Sequence, residues 1–258
     1  MGKIISIHSY RGGTGKSNIT ANLAATVAMQ RQRVAIIDTD IQSPGIHILF
    51  GMDEDDLSPC LNDFLYGKCS IKEAAHDVTS RLVDSEGTDI SGGGKLYLLP
   101  SSIKAGDIAR ILREGYKAHL LNDGLIELIE VLNLDYLFID THPGLNDETL
   151  LSIAISDDLL LIMRPDRQDY QGTAVTVEVA RKLDVENMLM VINKALPEMD
   201  FDGLKHSVEE IYKAEVIAVL PSSDDLIRAG SAGLFSLKNP QHPFSQGITA
   251  IAARLIRQ

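Results

Sequence analysis

The run Arg11-Gly12-Gly13-Thr14-Gly15-Lys16-Ser17 sets glycines, a lysine and a hydroxyl side by side. Glycines let the backbone turn tightly and bring its N–H groups close to an anion. Lys16 adds a positive charge that reaches outer phosphates, and the Ser17 hydroxyl is of the kind that ligates a magnesium ion. Three carboxylates stand at the ends of apolar runs: Asp38 and Asp40 after Val34–Ile37, and Asp140 after Tyr136–Ile139. Phosphoryl transfer needs neutralised charge, a bound metal and an aligned water, and these groups can supply each. Asp140 has the form of a metal-holding carboxylate. Asp38 and Asp40 lie two apart on a segment read as extended, a spacing that points both side chains the same way.

The surrounding elements suit that chemistry. The loop follows an apolar strand, Ile4 to His8, and opens a helical run from Asn18 towards Arg33. A strand, a glycine loop and a helix N-terminus together make an anion site. Further apolar runs at Leu96–Pro100, Leu159–Met163, Met188–Ile192 and Val216–Leu220 read as strands. Helical stretches at 103–115, 119–132, 148–156, 170–183 and 204–213 lie between them. This alternation predicts an α/β fold with a mostly parallel sheet of about seven or eight strands, covered by helices on both faces. Ligands then sit at the carboxyl ends of the strands, where the loop, Asp38, Asp40, Asp140, Asn193 and Pro221 gather. Residues 52–95 are least regular; short helices are expected at 61–65 and 71–78 and a polar loop at 84–94. The whole chain, 1–258, reads as a single domain carrying this elaboration.

Composition narrows the partners. With 45% apolar residues and a net charge of −12 over 258 residues, the chain can bury a large core and is acidic. That balance argues against non-specific nucleic-acid binding. Cys60 and Cys69 are read as unpaired thiols. No signal peptide or membrane-length apolar run is visible, so a cytoplasmic protein is expected. The segment Ile248–Gln258, with Arg254 and Arg257 as its cations, reads as a last core helix; a peripheral membrane contact is the alternative. His8, His47 and His142 show no metal-ligand spacing. In Arg164–Tyr170, Asp169 is expected to cap a helix.

The loop is not the general phosphate-loop pattern, because Tyr10 stands where that pattern has its first glycine. It resembles instead the deviant Walker A motif of the MinD/ParA family of ATPases, Lys-Gly-Gly-x-Gly-Lys-Ser/Thr, with Arg11 at the place of the signature lysine. Asp38-Thr39-Asp40-Ile41-Gln42-Ser43-Pro44-Gly45 is similar to the family's switch I, and Asp140-Thr141-His142-Pro143-Gly144 to its Walker B and switch II segment, which Asn146 follows. The resemblance runs from Gly2 to about Arg254. It implies a three-layer P-loop NTPase fold that uses ATP and Mg2+. By that likeness Gly12 to Asn18 cradle the phosphates, Ser17, Asp38 and Asp140 serve the metal, and Asp40 activates the water. Asn193 meets the adenine, Pro221 begins the loop covering it, and Arg11 crosses a homodimer interface to the partner copy's nucleotide. It also implies slow hydrolysis and an activating or cargo protein in the positioning of a division site, a chromosome or other cargo. Two other classes stay open: a non-hydrolysing nucleotide-binding regulator, which Arg11 makes conceivable, and a metallocluster carrier, for which the cysteine positions are poor.

Overall fold

A computed structural model describes residues 2–256. The strands are β1 (Lys3–His8), β2 (Arg33–Asp38), β3 (His76–Asp77), β4 (Lys95–Leu99), β5 (Tyr136–Asp140), β6 (Asp158–Met163), β7 (Asn187–Ala195) and β8 (Glu215–Pro221). They form one sheet in the order β3-β4-β2-β5-β1-β6-β7-β8, parallel except for β3, which runs antiparallel to β4. The helices are α1 (Lys16–Ala28), α2 (Leu61–Leu65), α3 (Ala105–Glu114), α4 (Ala118–Leu132), α5 (Asp147–Ala154), α6 (Arg167–Lys182), α7 (Phe201–Tyr212), α8 (Asp224–Ala229), α9 (Phe235–Lys238) and α10 (Pro243–Ile256).

Burial on both faces explains the uninterrupted apolar runs. Alternate residues of one strand enter different cores. Val34 and Ile36 of β2 pack with α1 and α10, whereas Ala35 and Ile37 pack with α2 and α4. A third cluster joins β6, β7 and β8 to α6 and α7. Helix α1 is buried nearly all round, between the sheet and α9–α10. Alanines at 21, 24, 25 and 28 allow that close approach.

Several boundaries differ from the sequence reading. Helix α1 starts at Lys16 rather than Asn18 and stops at Ala28. The helix expected over 71–78 is a turn followed by the edge strand β3, with His76 and Asp77 paired to Leu98 and Tyr97. Strand β7 continues past Ile192 to Ala195 through an irregular register against β8. The short helices α8 and α9 are additional. The final helix begins at Pro243, where proline's fixed φ suits a first helical position. Of its two expected cations, Arg254 pairs with Glu215 at 2.7 Å, and Arg257 lies outside the described residues. No described helix is long and apolar enough to cross a membrane.

Candidate nucleotide site

The loop joins the end of β1, a central strand flanked by β5 and β6, to α1. Gly13 and Gly15 take φ of +77° and +91°, which residues with side chains rarely adopt. At Gly15 a Cβ would also lie 2.5 Å from the Asn193 side-chain nitrogen. Helix α1 has no side-chain cap and no acidic residue in its first turn, so its leading N–H groups are left for an anion.

Two side chains from β7 fasten the loop from behind. Asn193 Nδ2 donates to the Thr14 carbonyl at 2.7 Å, and Lys194 Nζ donates to the Gly13 carbonyl at 2.8 Å. Asn193 thus braces the loop with its amide nitrogen. It also borders a cleft of about 220 Å³ with Asn18, Pro221, Ile227 and Phe244. Pro221 ends β8, just ahead of Ser222 and Ser223. Asn18 is tied to its own helix by Asn22, whose Oδ1 accepts from Ser236.

Lys16 is only 6% exposed and its Nζ sits 2.8 Å from Asp140 Oδ1. Thr20 Oγ1 donates to the same oxygen at 3.1 Å. Asp140 Oδ2 is buried and has no hydrogen-bond partner. Asp38 is fully buried beside it, and burial followed by the Asp140 charge holds its carboxyl well above the usual 3.8. An oxygen-rich pocket that disfavours the charge of one carboxyl and leaves an oxygen of another without a partner suits a hard divalent cation. Ser17 is half-buried in the first turn of α1, next to Lys16. Among the described residues no three His, Cys, Asp or Glu side chains could hold a metal alone.

The Asp38–Asp40 pair is drawn together by a turn rather than by strand alternation. β2 ends at Asp38, whose Oδ1 accepts from the Asp40 N–H at 3.0 Å and whose Oδ2 accepts from the Gly45 N–H at 3.3 Å. Asp40 Oδ1 accepts from His142 Nδ1 at 2.6 Å and from the Ser43 N–H at 3.2 Å. Of the three histidines that show no metal-ligand spacing, His8 and His142 are therefore beside these carboxylates and His47 is not among these contacts. Nothing local signals this: His142 meets Asp40 across 102 residues, and His8 meets Thr141 across 133. Lys194 was likewise missed.

Arg11 stands 3.5 Å from Asp169 and 3.8 Å from Asp166 of the same chain. Asp169 is not the cap of α6. Asp166 is, accepting from the Gln168 and Asp169 N–H groups, while the Asp169 carboxylate binds the Arg164 backbone and guanidinium. The Tyr10 ring packs closely on Gly172 of α6, where a Cβ would come 2.0 Å from it.

His8 is a titration reporter for this region. Thr141 Oγ1 donates to the Ile7 carbonyl at 3.0 Å, so His8 Nδ1 donates to Thr141 at 2.8 Å and Nε2 is buried without a partner. Burial, then the Lys16 charge, lowers the His8 pKa from 6.5 to about 3. Between those values the unfolded chain binds more protons than the native one, so acidification favours unfolding. The loss is about 2 kcal/mol at pH 5, or roughly 4–8 °C in melting temperature. Asp38 pulls the other way, but equally in a variant that keeps it. His8→Asn, which retains a donor towards Thr141, is therefore expected to melt with a smaller decline than wild type between pH 7.5 and 5. Parallel melting curves would contradict the assignment.

The profile of the ParA family, described as NUBPL iron-transfer P-loop NTPase, matches residues 1–256. The septum site-determining protein MinD of Thermotoga maritima is 26% identical over 264 aligned positions, covering 99% of this chain and 88% of that protein. The MinD cell division protein of Aquifex aeolicus superposes with a TM-score of 0.81 at 22% identity, over 99% of this chain and 98% of that one. MinD of Pyrococcus horikoshii, solved with Mg-ADP, gives a TM-score of 0.76 at 20% identity, over 99% and 96% of the two chains. A glycine loop braced from β7, a lysine buried on the β5 aspartate and a sheet of this order thus accompany a match along almost the whole chain: the protein belongs to the MinD/ParA family of P-loop NTPases.

Proposed function

We propose that this chain is an ATPase whose nucleotide state controls self-association and, through it, the recruitment of a partner protein. The observation that carries the reading is the convergence of Lys16, Asp38, Asp40 and Asp140 behind a glycine loop at the sheet's carboxyl edge. The backbone N–H groups of Gly12 to Ser17 bind the phosphates, and Asn18 follows them on the opening turn of α1. Lys16 leaves Asp140 for the outer phosphates. Ser17, Asp38 and Asp140 would hold a magnesium ion, which when bound neutralises phosphate charge. Asp40 orients the attacking water. The cleft bordered by Asn193 and Pro221 takes the base; the Asn193 carbonyl oxygen accepts from the adenine amino group while its nitrogen stays on Thr14.

Arg11 has two roles in this reading. In the free chain it rests on Asp166 and Asp169. In the ATP-bound homodimer it turns to the partner's phosphates, where a guanidinium binds oxygens in pairs. The relatives named MinD act at septum sites, so intracellular positioning is the proposed setting, with an activating or cargo protein as partner. A membrane surface is a further candidate contact. Non-specific nucleic-acid binding is disfavoured by the charge of −12.

Light scattering tests the switch. The mass of the wild-type protein is expected to double with Mg-ATP and not with Mg-ADP. Arg11→Ala is expected to bind ADP as wild type does, yet to weaken ATP-dependent association at least tenfold. Unchanged association in Arg11→Ala would remove Arg11 from the interface, and a monomer under every condition would contradict the dimer reading.

A further inference from the structure

The His142 side chain joins the two segments expected to sense the γ-phosphate by meeting the Asp40 carboxylate, beside a second link from the Thr39 hydroxyl to the Asp140 carbonyl at 3.1 Å. The histidine lies two residues past Asp140, in the stretch Thr141-His142-Pro143-Gly144. Its Nδ1 is 2.6 Å from Asp40 Oδ1, and its side chain is about one quarter exposed. An ionised carboxylate only accepts, so Nδ1 carries the proton and donates. The histidine is itself held by its backbone: its carbonyl accepts from Thr149 Oγ1 at 3.1 Å. The Thr149 N–H in turn donates to Asn146 Oδ1, the cap of α5, at 2.8 Å. The donor therefore comes from a fixed loop and turn, whereas Asp40 sits in an irregular loop after β2.

Both hydrogen bonds to the Asp40 carboxylate land on Oδ1, from His142 and from the Ser43 N–H. They fix the plane of the carboxylate and leave Oδ2 as the acceptor for water. We propose that His142 is a positioning residue: its Nδ1–H···Oδ1 bond aims Asp40 Oδ2 at the water that attacks the γ-phosphate. This rests on the ATPase reading above. In the step, the water oxygen bonds to the γ-phosphorus and the bond from phosphorus to the β–γ bridging oxygen breaks, leaving its electron pair on ADP. One water proton passes to Asp40 Oδ2 and then to the released phosphate. His142 gives up no proton. It keeps the accepting oxygen in place, and a small misplacement of such a group is costly.

The donor position gives the test its discrimination. Asparagine can place an amide N–H where Nδ1 stands; glutamine reaches only towards Nε2, and alanine supplies no donor. Mg-ATP turnover and the affinity of a fluorescent ADP analogue are measured for wild type, His142→Ala, His142→Asn, His142→Gln, Asp40→Ala and the Asp40→Ala/His142→Ala double variant. His142→Ala and His142→Gln are expected to lose 10- to 100-fold in kcat with KM and ADP affinity within twofold of wild type. His142→Asn is expected to recover most of the loss, and the double variant to be no slower than Asp40→Ala. Three outcomes overturn the proposal: wild-type turnover in His142→Ala, an asparagine variant as slow as alanine, or a loss carried by ADP affinity. If wild type itself bound the analogue but turned over no ATP, the hydrolytic reading and this inference would fall together. If wild type is active and only the variant pattern fails, this inference alone falls.

Discussion

Lys16→Met is expected to lose nucleotide binding by at least 100-fold and to destabilise the free protein, increasingly so as the pH rises. The second effect follows from the lysine's place in the loop, against the Asp140 carboxylate. Lys16 is the buried cation set against Asp140 at 2.8 Å, and its charge also favours the ionised form of Asp38. Removing one partner of a buried pair costs about 3–5 kcal/mol if the remaining charge is left uncompensated. Asp38 can lower that cost by holding a proton, since burial and the Asp140 charge already raise its pKa. A carboxyl whose folded pKa is raised contributes stability at low pH and loses it as the pH climbs through that value. The deficit in Lys16→Met should therefore be small in mild acid and grow towards alkaline pH. Thermal melting with and without Mg-ADP checks both effects. Wild type should gain about 2.7 kcal/mol at ligand concentrations 100 times its dissociation constant, and the variant at most about 0.4 kcal/mol at the same concentration. An ADP-dependent rise in Lys16→Met equal to that of wild type would contradict the role.

Asp40→Ala is expected to do the opposite: bind ATP normally and fail to turn it over. The Asp40 carboxylate bonds His142 and the Ser43 N–H, and neither contact involves Lys16 or the loop backbone. A group that aligns water and takes its proton contributes about 10²–10⁴ in rate. Single-turnover phosphate release should fall by that factor, while the ATP-dependent dimer persists correspondingly longer. Release at the wild-type rate would move the water-orienting role elsewhere. Loss of ATP affinity would show that Asp40 supports binding instead.

The sheet was legible because both its faces are buried. Runs such as Val34–Ile37 and Leu137–Ile139 leave little choice but a central strand, and each ends at a carboxylate. The places of the glycine loop, Asp38 and Asp140 at the ends of β1, β2 and β5 were readable for the same reason. β3 was not legible: a two-residue edge strand is selected by its pairing with β4, and 71–78 carries a pattern equally suited to a helix. Helix α1 reaches back to Lys16, directly after Gly15 with its left-handed φ of +91°. Asp169 and Asp166 are both acidic near one helix start, and only geometry separates the cap from the Arg164 and Arg11 ligand. His8 and His142 acquire meaning only when β1, β5 and the loop after β2 are brought together.

Everything proposed here requires the loop around Lys16 to hold a magnesium nucleotide. Calorimetric titration of the folded wild-type chain with Mg-ADP, beside Lys16→Met, measures this directly. The account predicts saturable binding of one nucleotide per chain in wild type, weakened when magnesium is chelated, and no detectable heat of binding in Lys16→Met. A wild-type titration indistinguishable from that of the variant would contradict it.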